Sequence, residues 1–197
     1  MTRPDDLQVL FDAAETAVAQ SPRGSVAAKA AAARVFDRLR SHDGTPQFQA
    51  MAPAALPVCD HLPQAIASAY PVRRALTTAL SALAARLTWT RRLSARPEDG
   101  AFWDGHANVM LAGPAGLEVR DDLWLGATLM APGVTYTDHS HPPEETYLPL
   151  TPGAWWNAAM DWTDPGADGL IYNPPGITHA MRALPDQPFL ALWFLPV

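Results

Sequence analysis

The sequence contains little cysteine and little lysine, and each shortage excludes a class of site. Cys59 is the only cysteine among 197 residues, so an intramolecular disulfide and a multi-cysteine zinc knuckle are impossible. Lysine occurs once, at Lys29, and the formal net charge is -6. Since phosphate binding needs a basic face, we do not expect nucleic acid as a partner.

The sequence also lacks a long apolar run and a basic leader. No uninterrupted apolar segment approaches the roughly 20 residues that span a bilayer. The first ten residues, MTRPDDLQVL, carry acids where a signal peptide has a basic stretch followed by an apolar one. We therefore expect a soluble, cytoplasmic protein with no membrane partner. Hydrophobic residues make up 48% of the chain, which is enough to build a folded core.

The composition changes near residue 95. Residues 1–95 are rich in alanine, leucine and arginine, and we predict that they form an N-terminal helical part. Apolar residues recur at helical spacing after Asp5 and after Ser25, the second helix ending near Asp43-Gly44, and a leucine stripe predicts a third helix over 72–89. The sequence leaves open whether these helices close over the opening of a site or form a homodimer contact.

Residues 96–197 hold most of the aromatic residues and nearly all the glycines, which favours β-structure. Short apolar segments between Gly, Pro or Asp turns predict strands over 109–112, 122–130, 145–150, 154–160, 169–172 and 189–195. Their regular spacing is typical of a small antiparallel sandwich or barrel. The expected fold class is therefore α+β, mainly β.

One stretch concentrates the side chains that carry chemistry. His139 and His141 are two residues apart, so on a strand they face the same side, and Glu145 and Tyr147 do the same further on. A hairpin through Pro142-Pro143 would bring the two pairs together. His179 follows a rigid Pro-Pro-Gly turn. Imidazoles together with one carboxylate suit a divalent metal ion such as zinc, iron or manganese.

This pattern resembles the two motifs of the cupin superfamily, whose members are small double-sheet barrels with a metal in the mouth. The residues that match the first motif are Gly133, His139, His141 and Glu145. Those that match the second motif are Pro174, Gly176 and His179. The pattern departs from the superfamily at Gly153, one residue late, at Gly169, one residue too near, and at Ala183, which replaces an asparagine. The resemblance implies a double-stranded β-helix, or jelly roll, over residues 96–197.

A second set of motifs is more specific. It comprises Leu87-Thr88-Trp89, Tyr136-x-x-His139-Ser-His141, Glu144-Glu145-x-Tyr147, Gly153-Ala-Trp155-Trp156 and His179-Ala-Met-Arg182. Together these resemble the cupin-type dimethylsulfoniopropionate lyases, in particular the DddQ group. The resemblance implies that His141, Glu145, His179 and Tyr147 hold one divalent metal, either zinc, iron(II) or manganese. It places His139 in the pocket, among the catalytic and substrate-binding groups rather than as an assigned ligand.

The same resemblance implies a carbon-sulfur lyase that cleaves a small sulfonium carboxylate by β-elimination, giving dimethyl sulfide and acrylate. Tyrosine titrates near pH 10, but a cation beside it favours the phenolate, so Tyr147 is the expected base. Tyr136 is the alternative base or a positioning group. Since aromatic faces attract cations, Trp155 and Trp193 are candidate contacts for the sulfonium.

Two other interpretations remain open at this point. The first is another cupin metalloenzyme, either an iron dioxygenase or a lyase of a different β-substituted acid. An oxygenase would use the same histidines and glutamate but has no need of a phenolate at Tyr147. The second is a non-catalytic cupin that binds a small molecule. The barrel fold does not decide among them, because cupins host many reactions.

Overall fold

The structure is a computed structural model that describes residues 2–41, 47–50 and 52–197. The helices are α1 (Asp5–Ala19), α2 (Val26–Arg40), α3 (Leu62–Ala67), α4 (Arg74–Leu83) and α5 (Ala101–Gly105). The strands are β1 (Gln47–Phe48), β2 (His106–Gly113), β3 (Glu118–Val119), β4 (Leu123–Met130), β5 (Thr135–His139), β6 (Glu145–Pro149), β7 (Gly153–Asn157), β8 (Met160–Thr163), β9 (Ile171–Asn173), β10 (His179–Ala183) and β11 (Phe189–Pro196). No helix within these described ranges is long and apolar enough to cross a membrane.

The first two helices follow their sequence signals. The Ser25 side chain caps α2 by accepting a hydrogen bond from the Ala28 amide at 3.1 Å. The predicted end of this helix near Asp43-Gly44 lies outside the described residues, and α2 itself ends at Arg40. The third predicted helix ends earlier than expected. After α4 a short 3-10 turn leads to Trp89, whose amide bonds the Ala54 carbonyl at 2.8 Å in extended chain.

The strands form two sheets. Across the described residues the larger sheet has the order β1-β3-β2-β4-β11-β6-β9, and the smaller has the order β5-β10-β7-β8. Every pairing is antiparallel except that of β2 with β3. Buried side chains from both sheets pack against one another, as in a jelly roll. The expected mainly β architecture with N-terminal helices is therefore confirmed.

Two details of the predicted strands are wrong. The segment 154–160 is not one strand, because a turn after Asn157 separates β7 from β8; the Asn157 Oδ1 accepts from the Ala159 amide at 3.0 Å. The hairpin predicted through Pro142-Pro143 does not form either. β5 pairs with β10, whereas β6 pairs with β11 and β9, so this connection crosses from one sheet to the other.

The helices and the larger sheet share one hydrophobic core. Side chains of α1, α2 and α4 pack in a single buried cluster with residues of β2, β4, β6 and β11. β1, which precedes residue 95, pairs with β3. The composition changes at residue 95, and the division into an N-terminal helical part (1–95) and a barrel (96–197) remains a prediction.

Candidate metal centre and active site

Three histidines converge where the two sheets meet. His139 ends β5 and His179 begins β10, and the pairing of these strands sets the two residues directly opposite each other. His141 lies in the connection after β5, not on the strand as predicted. One ring nitrogen from each of the three lies within 4.8 Å of the others. Strands β5 and β10 of the smaller sheet, together with the connection from β5 to β6, thus assemble the cluster.

Each histidine has one ring nitrogen beside a backbone carbonyl. The Nδ1 atoms of His139, His141 and His179 lie 3.1, 2.9 and 2.9 Å from the carbonyls of Thr137, Pro143 and Ile177. Because a carbonyl only accepts, Nδ1 carries the proton and Nε2 keeps a free lone pair. The Nε2 atoms of His141 and His179 are buried without a hydrogen-bond partner. Lone pairs held this way are suited to a metal ion.

The Glu145 carboxylate faces two of these lone pairs. Its Oε2 lies 3.4 Å from His141 Nε2 and 3.2 Å from His179 Nε2, and it accepts from Asn173 Nδ2 at 3.2 Å. Burial opposes ionisation, but the facing imidazoles of His141 and His179 hold the pKa of Glu145 below its ordinary value. A buried anion against lone-pair nitrogens is stabilised by a cation placed among them. The donor set therefore fits a divalent metal ion.

A relay of amides supports the carboxylate from behind. The Asn157 Nδ2 donates to the Asn173 Oδ1 at 3.0 Å, and Asn173 in turn donates to Glu145. All three side chains are at most 4% exposed. The cupin pattern has an asparagine at position 183, where this chain has alanine. The amides of the relay come from β7 and β9.

Two phenols lie beside the cluster. Tyr147 follows Glu145 by two residues, so both side chains leave β6 on the same face. Burial, and then the charge of Glu145, raises the pKa of Tyr147 well above its ordinary value. Burial raises the pKa of Tyr136 to about 12. Burial, with the nearby His179, lowers the pKa of His139 to about 3, so its imidazole is neutral at pH 7.

The cluster opens into a cavity of about 490 Å³. Its floor comes from alternate residues of neighbouring strands of the larger sheet, namely Asn108, Met110, Trp124, Thr128, Glu145, Tyr147, Trp193 and Leu195. The loop 90–94 forms one wall and the segment 139–141 another. A cavity of this volume accommodates a small organic molecule, and both polar groups and indole rings line it.

Most of the predicted site residues meet at this cavity. Tyr136, His139, His141, Glu145, Tyr147 and Trp193 line it. His179 belongs to the histidine cluster and is 1% exposed, behind the cavity surface. Trp155 does not reach the cavity. Its ring lies 6.2 Å from that of Tyr147 and 4.9 Å from that of Phe189, in the core between the sheets. The predicted sulfonium contact at Trp155 is corrected accordingly.

Sequence reasoning missed three kinds of cavity residue. Trp124 presents an indole that was not among the predicted contacts, and Asn108 and Thr128 present polar groups from apolar strands. Arg92 lies with its guanidinium carbon 5.2 Å from the Tyr136 ring centroid. The sequence did contain a signal for Asn108 and Thr128, because each is a polar residue inside an otherwise apolar strand. No sequence pattern indicated that Arg92 would lie near the cavity.

None of the helices in the described part of the chain lines the cavity. Thr146, between the cavity-lining Glu145 and Tyr147, points the other way, and its hydroxyl donates to the Ala28 carbonyl of α2 at 2.9 Å. Glu144 is ion-paired with Arg34 of α2. α2 therefore packs on the outer face of the larger sheet and contacts both neighbours of Glu145. A homodimer remains a prediction.

Comparisons with known proteins agree with this architecture. A sequence profile described as dimethylsulfoniopropionate lyase matches residues 27–191. The chain is 32% identical over 139 residues to a protein of Cereibacter sphaeroides named as the dimethylsulfoniopropionate lyase DddL, covering 70% of this chain and 58% of that protein. It is 34% identical over 145 residues to the dimethylsulfoniopropionate lyase DddQ of Ruegeria pomeroyi, covering 71% of this chain and 67% of that protein.

The crystal structure of DddQ from Ruegeria pomeroyi has the same fold. It superposes with a TM-score of 0.76 over 99% of this chain and 93% of the other, at 21% identity. The match to DddL leaves more than a third of that relative outside the alignment, since the chain spans 58% of its length. The profile covers well over half of the chain, so this protein belongs to the dimethylsulfoniopropionate lyase family, with a cupin fold.

Proposed function

We propose that this chain is a carbon-sulfur lyase that cleaves dimethylsulfoniopropionate into dimethyl sulfide and acrylate. Family membership supports the reaction class. The observation that carries the proposal is the phenol of Tyr147, buried at the cavity two residues after a carboxylate that faces two histidines. A binding module has no need of this arrangement, and a dioxygenase has no need of the phenol.

The proposal includes one divalent metal ion, either zinc, iron(II) or manganese. His141, Glu145, His179 and Tyr147 would hold it, and His139 is an additional candidate because its ring nitrogen lies in the same cluster. When bound, the ion supplies a positive charge that binds the substrate carboxylate, stabilises the enolate-like charge and favours the phenolate of Tyr147. The free Nε2 lone pairs of His141 and His179 support this assignment.

Tyr147 acts as the base in this proposal. Its phenolate oxygen accepts the proton from the carbon next to the substrate carboxylate. The electron pair of that carbon-hydrogen bond forms the double bond of acrylate, and the electrons of the carbon-sulfur bond leave on sulfur. Dimethyl sulfide departs neutral, so the leaving group needs no acid. His139 and Tyr136 contact the substrate, and Tyr136 is the alternative base.

The indole rings that line the cavity would hold the sulfonium. Trp193 and Trp124 both line the cavity, and an aromatic face attracts a cation by about 0.5–2 kcal/mol. Met110 and Leu195 of the cavity floor are apolar and can contact the S-methyl groups. The substrate would then lie with its carboxylate toward the histidine cluster and its cationic end toward the indoles.

Headspace gas chromatography tests the function directly. Purified protein is incubated with dimethylsulfoniopropionate alone, with a chelator, and with zinc, manganese or iron(II) added back. We expect dimethyl sulfide that disappears with the chelator and returns with metal. Folded, metal-loaded protein that releases no dimethyl sulfide would overturn the proposal. Oxygen uptake measured in parallel distinguishes a dioxygenase, which would consume oxygen in step with turnover.

A further inference from the structure

The phenol ring of Tyr136 is held rigidly in the cavity wall. The Phe102 ring packs edge-on at 4.9 Å and the His106 ring at 5.3 Å between centroids, and the Arg92 guanidinium lies 5.2 Å away. The side chain is 5% exposed. With the ring fixed, the direction of the hydroxyl proton is the main freedom that remains.

Asn108 contacts this hydroxyl from the opposite sheet. Its amide Nδ2 lies 3.0 Å from the Tyr136 oxygen, and its Oδ1 lies 2.6 Å from the Thr128 hydroxyl. O–H···O hydrogen bonds are typically shorter than N–H···O hydrogen bonds. These distances therefore agree with the amide oxygen facing Thr128 and the amide nitrogen facing Tyr136. Thr128 and Asn108 are directly paired between β4 and β2, so strand register holds the donor in place.

The Asn108 amide donates to the phenol oxygen of Tyr136, so the phenol proton points away from Asn108 and is available for donation to another group. All three residues of this chain of hydrogen bonds, Tyr136, Asn108 and Thr128, line the cavity.

We propose that Asn108 is a positioning residue that makes Tyr136 a hydrogen-bond donor to the substrate carboxylate, and that Thr128 holds the Asn108 amide in the required orientation. This inference rests on the proposed function, since the carboxylate is that of the substrate or of acrylate. It assigns Tyr136 to substrate binding and leaves proton abstraction to Tyr147. It also gives a role to two polar residues in apolar strands that the reaction itself does not require.

The test is a double-mutant cycle on metal-loaded protein. Asn108→Ala, Tyr136→Phe and the double variant are compared for kcat, KM and the Kd of acrylate, a product that retains the carboxylate and cannot react further. We expect Asn108→Ala to weaken acrylate binding and raise KM about 5- to 10-fold in the wild-type background. In the Tyr136→Phe background the same change should alter either value by less than about twofold, since Asn108 acts through the phenol.

Thr128 variants keep the test informative if Asn108→Ala does not fold. Thr128→Val preserves shape but removes the hydroxyl, and we expect acrylate binding to weaken in the same direction. Thr128→Ser should restore it. Thr163→Val makes the same chemical change on the exposed strand β8, outside the cavity, and should leave acrylate binding unchanged.

Equal losses from Asn108→Ala in both backgrounds would overturn the inference, as would wild-type acrylate binding by Thr128→Val. A wild-type protein that turns over the substrate but does not bind acrylate would also count against the carboxylate role. Failure of the proposed function is distinguishable from these outcomes. In that case the wild type releases no dimethyl sulfide, while the acrylate cycle still reports on Asn108 and Tyr136.

Discussion

On β6 the side chains of Glu145 and Tyr147 leave the same face, so a buried carboxylate lies beside a buried phenol. Burial and the carboxylate charge both keep Tyr147 protonated in the absence of a cation. The histidines that face Glu145 supply free lone pairs, and a cation there would offset the unfavourable charge. At the residue scale, the proposed base and the proposed metal therefore depend on each other.

Replacing Tyr147 by phenylalanine removes only the hydroxyl. We expect kcat to fall by about 100- to 10,000-fold, the range of general-base contributions, with the fold intact. Headspace dimethyl sulfide and circular dichroism measure the two effects. Tyr70→Phe is a matched control, because Tyr70 does not line the cavity. Near-normal turnover by Tyr147→Phe would contradict the base assignment and favour Tyr136.

Metal retention depends on the histidines and on the amide behind Glu145. We expect His141→Ala and His179→Ala to lower bound metal below one equivalent by elemental analysis. Asn173→Ala should weaken metal affinity about 10- to 100-fold in chelator competition, since groups that orient a ligand have effects of this size. His61→Ala is the control, outside the cluster. A full equivalent retained by His179→Ala would refute that ligand.

At the scale of elements, strand register decides which side chains share the cavity. The pairing of β11 with β4 and β6 aligns Trp193 with Gly126 on one side and with Tyr147 on the other. A Cβ added to Gly126 would lie 2.2 Å from the Trp193 ring and 2.2 Å from the Val109 carbonyl oxygen. The glycine thus leaves space for the indole to lie across β4 and face the cavity.

Gly126→Ala should therefore disturb both stability and binding. Because one close contact is backbone, β2 and β4 must separate slightly, and we expect the free energy of unfolding to fall by about 1–3 kcal/mol. Displacement of the indole should also raise KM. Chemical denaturation and steady-state kinetics measure these effects, and Trp193→Phe in the Gly126→Ala background should recover part of the lost stability. Unchanged stability and KM would show that the register tolerates a side chain there.

At the scale of the whole molecule, packing contacts as well as the chain itself hold the helices to the barrel. They share one hydrophobic cluster, and α2 contacts both Thr146 and Glu144, the neighbours of Glu145. Loss of the helical layer would therefore expose the outer face of the larger sheet and release the strand that carries the carboxylate. The helices contribute to the site by supporting it from outside.

A shared core predicts one cooperative unfolding transition. Far-UV circular dichroism follows the helices, whereas tryptophan fluorescence mainly follows the barrel, where six of the seven tryptophans lie. We expect the two signals to give coincident denaturation curves, with the same midpoint and slope. The metal-loaded protein should shift both curves together. Two separated midpoints would instead indicate that residues 1–95 and 96–197 fold as independent domains.

The sequence by itself determined the features that depend on local spacing. Helical periodicity located α1 and α2, and the His-x-His, glutamate and tyrosine pattern located most of the site, because residues two apart on β6 share a face wherever the strand lies. The same spacing rule placed His141 wrongly. His141 lies outside β5 because the chain leaves the smaller sheet after His139, and residue spacing alone does not predict where a strand ends.

Only the tertiary structure decided which distant residues meet at the cavity. Asn108 reaches Thr128 through the pairing of β2 with β4, and reaches Tyr136 across the space between the sheets. Trp124, on the larger sheet, lines the cavity, whereas Trp155, on the smaller sheet, is buried against Tyr147 and Phe189. These outcomes depend on register and sheet order, which are set by packing between residues far apart in the chain, and no local pattern encodes them.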